Sequence, residues 1–170
     1  MKNQTKTKNI ALAGLSTALV LLATLVIQFP FLNGYLNAGD AIIIVSCFFL
    51  SPLTAAATAG LGSALADILI GYAIYAPGTL VIKALMAFVA ALIIRRGREK
   101  KSLIPAFFAA VSAELIMVSG YFLYESFVLG YGMPALAYVP GNLIQAGFGI
   151  IAGCMLLAMI FRIPYVQDNF

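Results

Sequence analysis

Histidine and tryptophan are missing from the 170-residue chain altogether. Without histidine, the commonest general base and the commonest metal ligand are both gone. A hydrolase built on Ser–His, or on a His-bound metal, is therefore excluded. Cysteine is scarce. Cys47 and Cys154 lie far apart in apolar runs, form no CxxC or disulfide framework, and read as packing residues. Charge is scarce too, at 9% of residues, against about 25% in a typical soluble domain. What fills the space is apolar: 63% of residues are hydrophobic and the mean hydropathy is +1.04. One core of this size could not hide so much apolar surface, so the excess must face lipid. We expect one integral membrane domain over 1–170, with no nucleic-acid partner despite the net charge of +4.

A spanning helix needs roughly 20 apolar residues. Run one is Ile10–Phe29, too long for a signal-peptide core of about 7–15 residues, and is read as a retained helix. Asn33, Gly34, Asn37 and Gly39 mark the loop after it. Run two, Asp40–Leu50, is short. Run three is Leu53–Ile70, after Ser51-Pro52. Run four is Thr79–Ile94, run five Leu103–Tyr124, and run six starts near Pro140 and ends at Phe161. The alternative to six spans is that runs two and three form one broken or re-entrant pair. Basic residues flank the runs: Lys2, Lys6 and Lys8 before the first, Arg95, Arg96, Arg98, Lys100 and Lys101 after the fourth, Arg162 after the sixth. Six crossings place all of them on one side, which the positive-inside rule makes cytoplasmic. The expected fold is an all-α membrane protein with six transmembrane helices and both termini cytoplasmic. The loops at 30–39, 71–78 and 125–139 then face outward.

Five ionisable residues fall within or at the ends of the runs: Asp40, Asp67, Lys83, Glu114 and Glu125. At mid-membrane each costs about 2.5–3.5 kcal/mol on insertion scales and needs a partner or a watery cavity. Glu114, Tyr121 and Glu125 share one helix face by their spacing of seven and four, and Asn142 and Gln145 share another. With Lys83 these groups gather in the outer half, beneath loops carrying Tyr35, Tyr72, Tyr75, Tyr131 and Tyr138. Such a pocket suits a small, flat, hydrogen-bonding ligand. Each residue also has a plainer reading. Asp40 suits the N-cap of run two. Asp67 and Lys83 suit a structural ion pair, and Glu114 a partner of Lys83 or a protonated acid. The tyrosines suit an interfacial belt, and Asn142 and Gln145 interhelical glue.

Small residues form two stripes, Ala11, Gly14 and Ala18 in run one and Ala56, Gly60 and Ala64 in run three. Stripes of this kind let helices approach closely, inside the chain or against a partner.

The runs Leu36-Asn37-Ala38-Gly39-Asp40, Leu50-Ser51-Pro52-Leu53, Ala59–Asp67, Gly71-Tyr72, Tyr75-Ala76-Pro77 and Ile82-Lys83, with the Gly14-x-x-x-Ala18 stripe, carry a family likeness. The chain resembles the substrate-binding S components of energy-coupling factor (ECF) vitamin transporters, most strongly over Leu36–Leu92. Ser51 departs from the glycine that many members carry. The resemblance implies capture of a vitamin or precursor from outside. It also implies association with a transmembrane coupling subunit and two cytoplasmic ATPases, and toppling in the membrane to deliver the ligand. Ala11, Gly14 and Ala18 map onto the coupling-subunit contact. ATP would be used by the partners, and this chain has no GxxxxGK[ST] of its own. Within the family the Leu36–Lys83 stretch looks most like subunits assigned to hydroxymethylpyrimidine or pyridoxine-type ligands.

The expected ligand set is Asn37, Tyr75, Lys83, Glu114, Tyr121, Asn142 and Gln145. No catalytic residue, metal site or cofactor of this chain's own is expected, and the expected location is the bacterial plasma membrane, crossed several times. A self-contained carrier or channel working as an oligomer is the alternative.

Overall fold

The computed structural model describes residues 2–31, 34–97 and 103–169. Asn33, and Arg98, Lys100 and Lys101 of the basic cluster, lie outside the described residues. Helix α1 (Lys2–Val26) leads into a short antiparallel hairpin, β1 (Gln28–Phe31) and β2 (Gly34–Asn37), which pairs Gln28 with Asn37. Then come α2 (Gly39–Phe49), α3 (Pro52–Leu69), α4 (Ala76–Gly97) and α5 (Leu103–Leu123). Helix α5 runs on through a π turn at Tyr124–Val128, and a 3-10 turn at Met133–Ala137 precedes α6 (Val139–Ile160) and the short α7 (Pro164–Asn169).

Among the described residues, five segments are long and apolar enough to cross a membrane: Thr7–Val26, Pro52–Leu69, Ala76–Arg96, Leu103–Val128 and Met133–Ile160. The expected sixth, run two, is the shorter apolar helix Gly39–Phe49. Its 11 residues rise only about 16 Å. The hairpin supplies the reason. Rather than staying above the bundle as a loop, it folds inward until the Asn37 backbone N–H donates to Gln145 of α6. Helix α2 therefore starts part-way down, with Asp40 against Gly149 and Ile44 against Gly153, and ends with the Phe48 ring tilted against that of Phe161, centroids 5.0 Å apart. It runs parallel to α6 over the lower part of that helix. Among the described residues the fold is the expected all-α membrane class with this one β-hairpin added.

Helix ends follow local chemistry. Ser51 caps α3, its hydroxyl accepting from the Thr54 N–H, with Pro52 in the first turn. Pro77 likewise sits in the first turn of α4, so that helix starts earlier than run four. Gly71, at φ +91°, takes the left-handed turn after α3.

The bundle is packed through small residues. Ala87, Ala90 and Ala91 of α4, and Ala106, Ala109, Ala110 and Ala113 of α5, are all buried, which lets these helices approach closely. Large apolar side chains point outward instead: Leu53, Val81, Ile104, Leu115 and Ile151 are each more than 60% exposed. Fully buried positions hold Asp40, Lys83 and Glu114. An apolar exterior around buried polar groups is the arrangement a lipid solvent requires.

Candidate functional site

The hairpin, the α3–α4 connection and the turns between α5 and α6 meet at one end of the bundle. The described basic residues Arg95, Arg96 and Arg162 are placed by their helices at the other end. A cavity, part of it open to the outside, lies at the hairpin end; its empty space, counted together with the open solvent at its mouth, is about 540 Å³.

The hairpin contributes Tyr35, Leu36 and Asn37 to the wall, and α3 contributes Asp67 near its end. Tyr72 and Tyr75 come from the turn that follows, and Thr79 from α4. Tyr121 and Glu125 come from α5 and its π turn, Tyr138 from the turn before α6, and Asn142 and Gln145 from α6 itself. The π turn widens the helix by one residue per turn, and such turns recur at functional sites. Here it carries Glu125 into the wall.

Aromatic rings form a connected shelf. Tyr35 and Tyr72 have centroids 5.2 Å apart, Tyr72 and Tyr75 6.3 Å, and Tyr75 and Tyr124 6.4 Å. Gly78 makes room for the last ring, since a Cβ there would come within 2.7 Å of Tyr124. The Tyr124 hydroxyl donates to the Ile74 carbonyl at 2.8 Å, tying α5 to the α3–α4 turn. The Tyr35 hydroxyl donates to Asp67 Oδ1 at 2.5 Å. Burial and then the Glu125 carboxyl push the Tyr75 phenol above its ordinary range. Tyr35 spends its one O–H on Asp67, whereas the Tyr75 O–H can donate to a ligand.

Several wall atoms are buried and lack a hydrogen-bond partner among the described residues: Asp67 Oδ2, Glu125 Oε2, the Tyr75 hydroxyl and Asn142 Nδ2. An orphaned buried polar group costs about 1–3 kcal/mol. A convergent set of them in a cavity is what a polar ligand would satisfy.

Beneath the cavity lies a second polar group. Lys83 of α4 forms a buried ion pair with Asp40 of α2. Asp40 Oδ2 accepts from Gln145 Nε2 at 2.6 Å, and the Lys83 ammonium lies 5.6 Å from the Tyr121 ring centroid. The expected N-cap role of Asp40 is not what the structure has: Ala38 holds that position, and the first N–H of the helix, that of Gly39, is taken by Asn37 Oδ1. The Asp67–Lys83 pair is replaced by Asp40–Lys83. The reason is depth, because the inward-folded hairpin sinks Asp40 to the level of Lys83 and leaves Asp67 at the cavity.

Of the seven expected ligand residues, Asn37, Tyr75, Tyr121, Asn142 and Gln145 line the cavity, whereas Lys83 and Glu114 do not. Lys83 is consumed by Asp40. Glu114 lies about two helical turns below Tyr121, its carboxyl packed over Gly149. Thr79 and Leu36 were missed. Thr79 is four residues before Lys83 and so on its face, and its hydroxyl is 2.9 Å from that of Tyr121. Leu36 carries no signal beyond its place in the hairpin. The stripe residues Ala11, Gly14 and Ala18 lie exposed on α1. Among the described residues no group of three or more His, Cys, Asp or Glu side chains is placed to hold a metal.

Residues 4–162 match the model of the ECF-type riboflavin transporter S component family. The chain belongs to that family. The likeness reaches almost end to end, so it takes in the hairpin, the cavity wall and the buried ion pair together. A protein of Pyrococcus woesei described as "Uncharacterized protein in gap 3'region" is 33% identical over 127 residues, covering 75% of this chain and 82% of that one. The ECF S component family accounts for the apolar exterior, since its members are membrane-embedded transporter subunits. It also gives the cavity a context, that of a transport protein's substrate-binding subunit.

Proposed function

We propose that the chain is the substrate-capture subunit of an ATP-driven ECF importer, taking a small flat heteroaromatic vitamin or precursor into the tyrosine-walled cavity. The narrower choice is a hydroxymethylpyrimidine or pyridoxine-type ligand, with riboflavin, which the family description names, as the larger member of the same chemical class. The observation that carries the reading is the convergence of unpartnered buried polar atoms with a tyrosine shelf in one open cavity. Stacking suits a flat ring, and Asp67, Glu125 and Asn142 suit its polar substituents.

The chain crosses the cell membrane with both termini on the cytoplasmic side, as the positive-inside rule assigns from Arg95, Arg96 and Arg162. The cavity then opens outward. The hairpin and α2 together make the sixth crossing. A transmembrane coupling subunit docks on the exposed Ala11, Gly14 and Ala18 stripe, and two ATPase subunits supply the ATP chemistry.

Mass spectrometry of small molecules released from the purified chain tests the reading. A stoichiometric heteroaromatic vitamin or precursor is the expected result. Transport by the lone chain in liposomes would overturn it in favour of a self-contained carrier.

A further inference from the structure

The buried ion pair is joined to two cavity-lining residues, Gln145 and Asn37, by one chain of hydrogen bonds whose directions are fixed at both ends, by the Asp40 carboxylate below and by the Asn37 and Gly39 backbone N–H groups above. Lysine only donates and a carboxylate only accepts. Lys83 occupies Asp40 Oδ1, so Asp40 Oδ2 must take a donor, and Gln145 Nε2 supplies it at 2.6 Å. The Gln145 amide is thereby locked with Oε1 toward the hairpin, where it accepts from the Asn37 backbone N–H at 2.9 Å and from Asn37 Nδ2 at 3.3 Å. Asn37 is locked in turn, because its Oδ1 accepts from the Gly39 N–H at 2.9 Å. Flipping either amide would set oxygen against oxygen and N–H against N–H.

We propose that the buried Asp40–Lys83 pair is a positioning device that sets the hydrogen-bonding polarity of the cavity floor and so selects the ligand. The amide hydrogens left unspent on Gln145 and Asn37 are N–H donors, and both residues line the cavity. The floor therefore takes a ring edge that carries acceptors, a ring nitrogen or a carbonyl oxygen. The unpartnered Asp67 Oδ2 and Glu125 Oε2 on other elements take donors, such as hydroxyl or N–H groups. The selected class is a heteroaromatic with an acceptor edge and separate donor substituents. Asp40 and Lys83 touch no ligand and act through Gln145. This inference rests on the capture function proposed above.

The test compares riboflavin, pyridoxine and 4-amino-5-hydroxymethyl-2-methylpyrimidine, each paired with an analogue in which a ring nitrogen becomes C–H. Binding is measured on the full chain in detergent, for wild type and for the neutral Asp40→Asn, Lys83→Met double variant. Wild type should prefer the nitrogen-bearing member of its best pair by about tenfold or more, the value of one well-placed hydrogen bond. The double variant replaces a carboxylate that only accepts by an amide that can also donate, which leaves the Asn37 N–H alone to hold the Gln145 amide, and the preference should shrink to about twofold. Undiminished preference in a folded double variant overturns the inference and leaves the capture function standing. Failure of wild type to bind any of the six overturns both. A second readout needs only the wild type: the Gln145 side-chain amide, labelled with nitrogen-15 and assigned through Gln145→Leu, should exchange slowly with water. Fast exchange also overturns the inference.

Discussion

Two polar regions lie one above the other in this molecule, and they differ in how their carboxyl groups are held: below, Asp40 is paired and the neighbouring Glu114 is buried with neither oxygen partnered among the described residues, whereas above, the unpartnered atoms converge on a cavity. In the lower one, Asp40 is shared between Lys83 and Gln145 and is wholly buried. In the upper one, Asp67, Glu125 and Asn142 each keep a buried atom without a partner. The same contrast runs through the small residues. A Cβ at Gly62 of α3 would lie 2.9 Å from the Thr17 carbonyl oxygen, whereas none of the described atoms lies within 4 Å of one at Gly14 of α1. Where unpartnered atoms face the cavity, or a small-residue face of α1 is bare, is where a ligand or another subunit is proposed to fit.

Predictions that break or sharpen this contrast run from large effects to small. Replacing Lys83 with Ala strands a buried carboxylate and should cost about 3–5 kcal/mol of stability, read as a large fall in the thermal unfolding midpoint in detergent. An unchanged midpoint would mean the lower region is not closed. Gly62→Leu should cost about 1–3 kcal/mol or more by overpacking, while Gly14→Leu should leave stability within about 0.5 kcal/mol and instead weaken co-purification with a coupling subunit. Equal effects would dissolve the contrast between the two glycines. Asn142→Ala should reduce ligand affinity about tenfold, the scale of one lost hydrogen bond, with the unfolding midpoint held. Smallest is a spectroscopic effect. The Tyr75 phenol is raised, so its stabilising contribution is constant below the unfolded phenol value of about 10 and declines as pH climbs past it. An absorbance titration should leave at least one of the eight tyrosines un-ionised at about pH 11. Titration of all eight before unfolding would count against the closed shelf.

Much of this was legible in the sequence. Apolar runs and flanking charges gave the long helices, and the spacing of Tyr121 with Glu125 and of Asn142 with Gln145 put the right faces together. The hairpin was not legible. Gln28–Asn37 mixes apolar residues with Pro30, Asn33 and Gly34, which reads as a loop, and strand pairing over four residues leaves no clear alternation. Most of what was misjudged at the site follows from that one segment; Thr79 and Glu114, on α4 and α5, do not. Because the hairpin folds inward, Asp40 sinks to meet Lys83, Asp67 keeps its place at the cavity, and Leu36 enters the wall. Helical periodicity fixes which residues share a face, but not the height at which a neighbouring helix begins.

The central claim is that the cavity is the capture site and that its open polar atoms hold the ligand. Equilibrium binding of the co-purified ligand decides it, comparing the chain alone with an Asp67→Asn, Asn142→Leu double variant. The account predicts one ligand per wild-type chain, and a loss of about 100-fold in the variant with its unfolding midpoint unchanged in the absence of ligand. Wild-type affinity in that variant would contradict it.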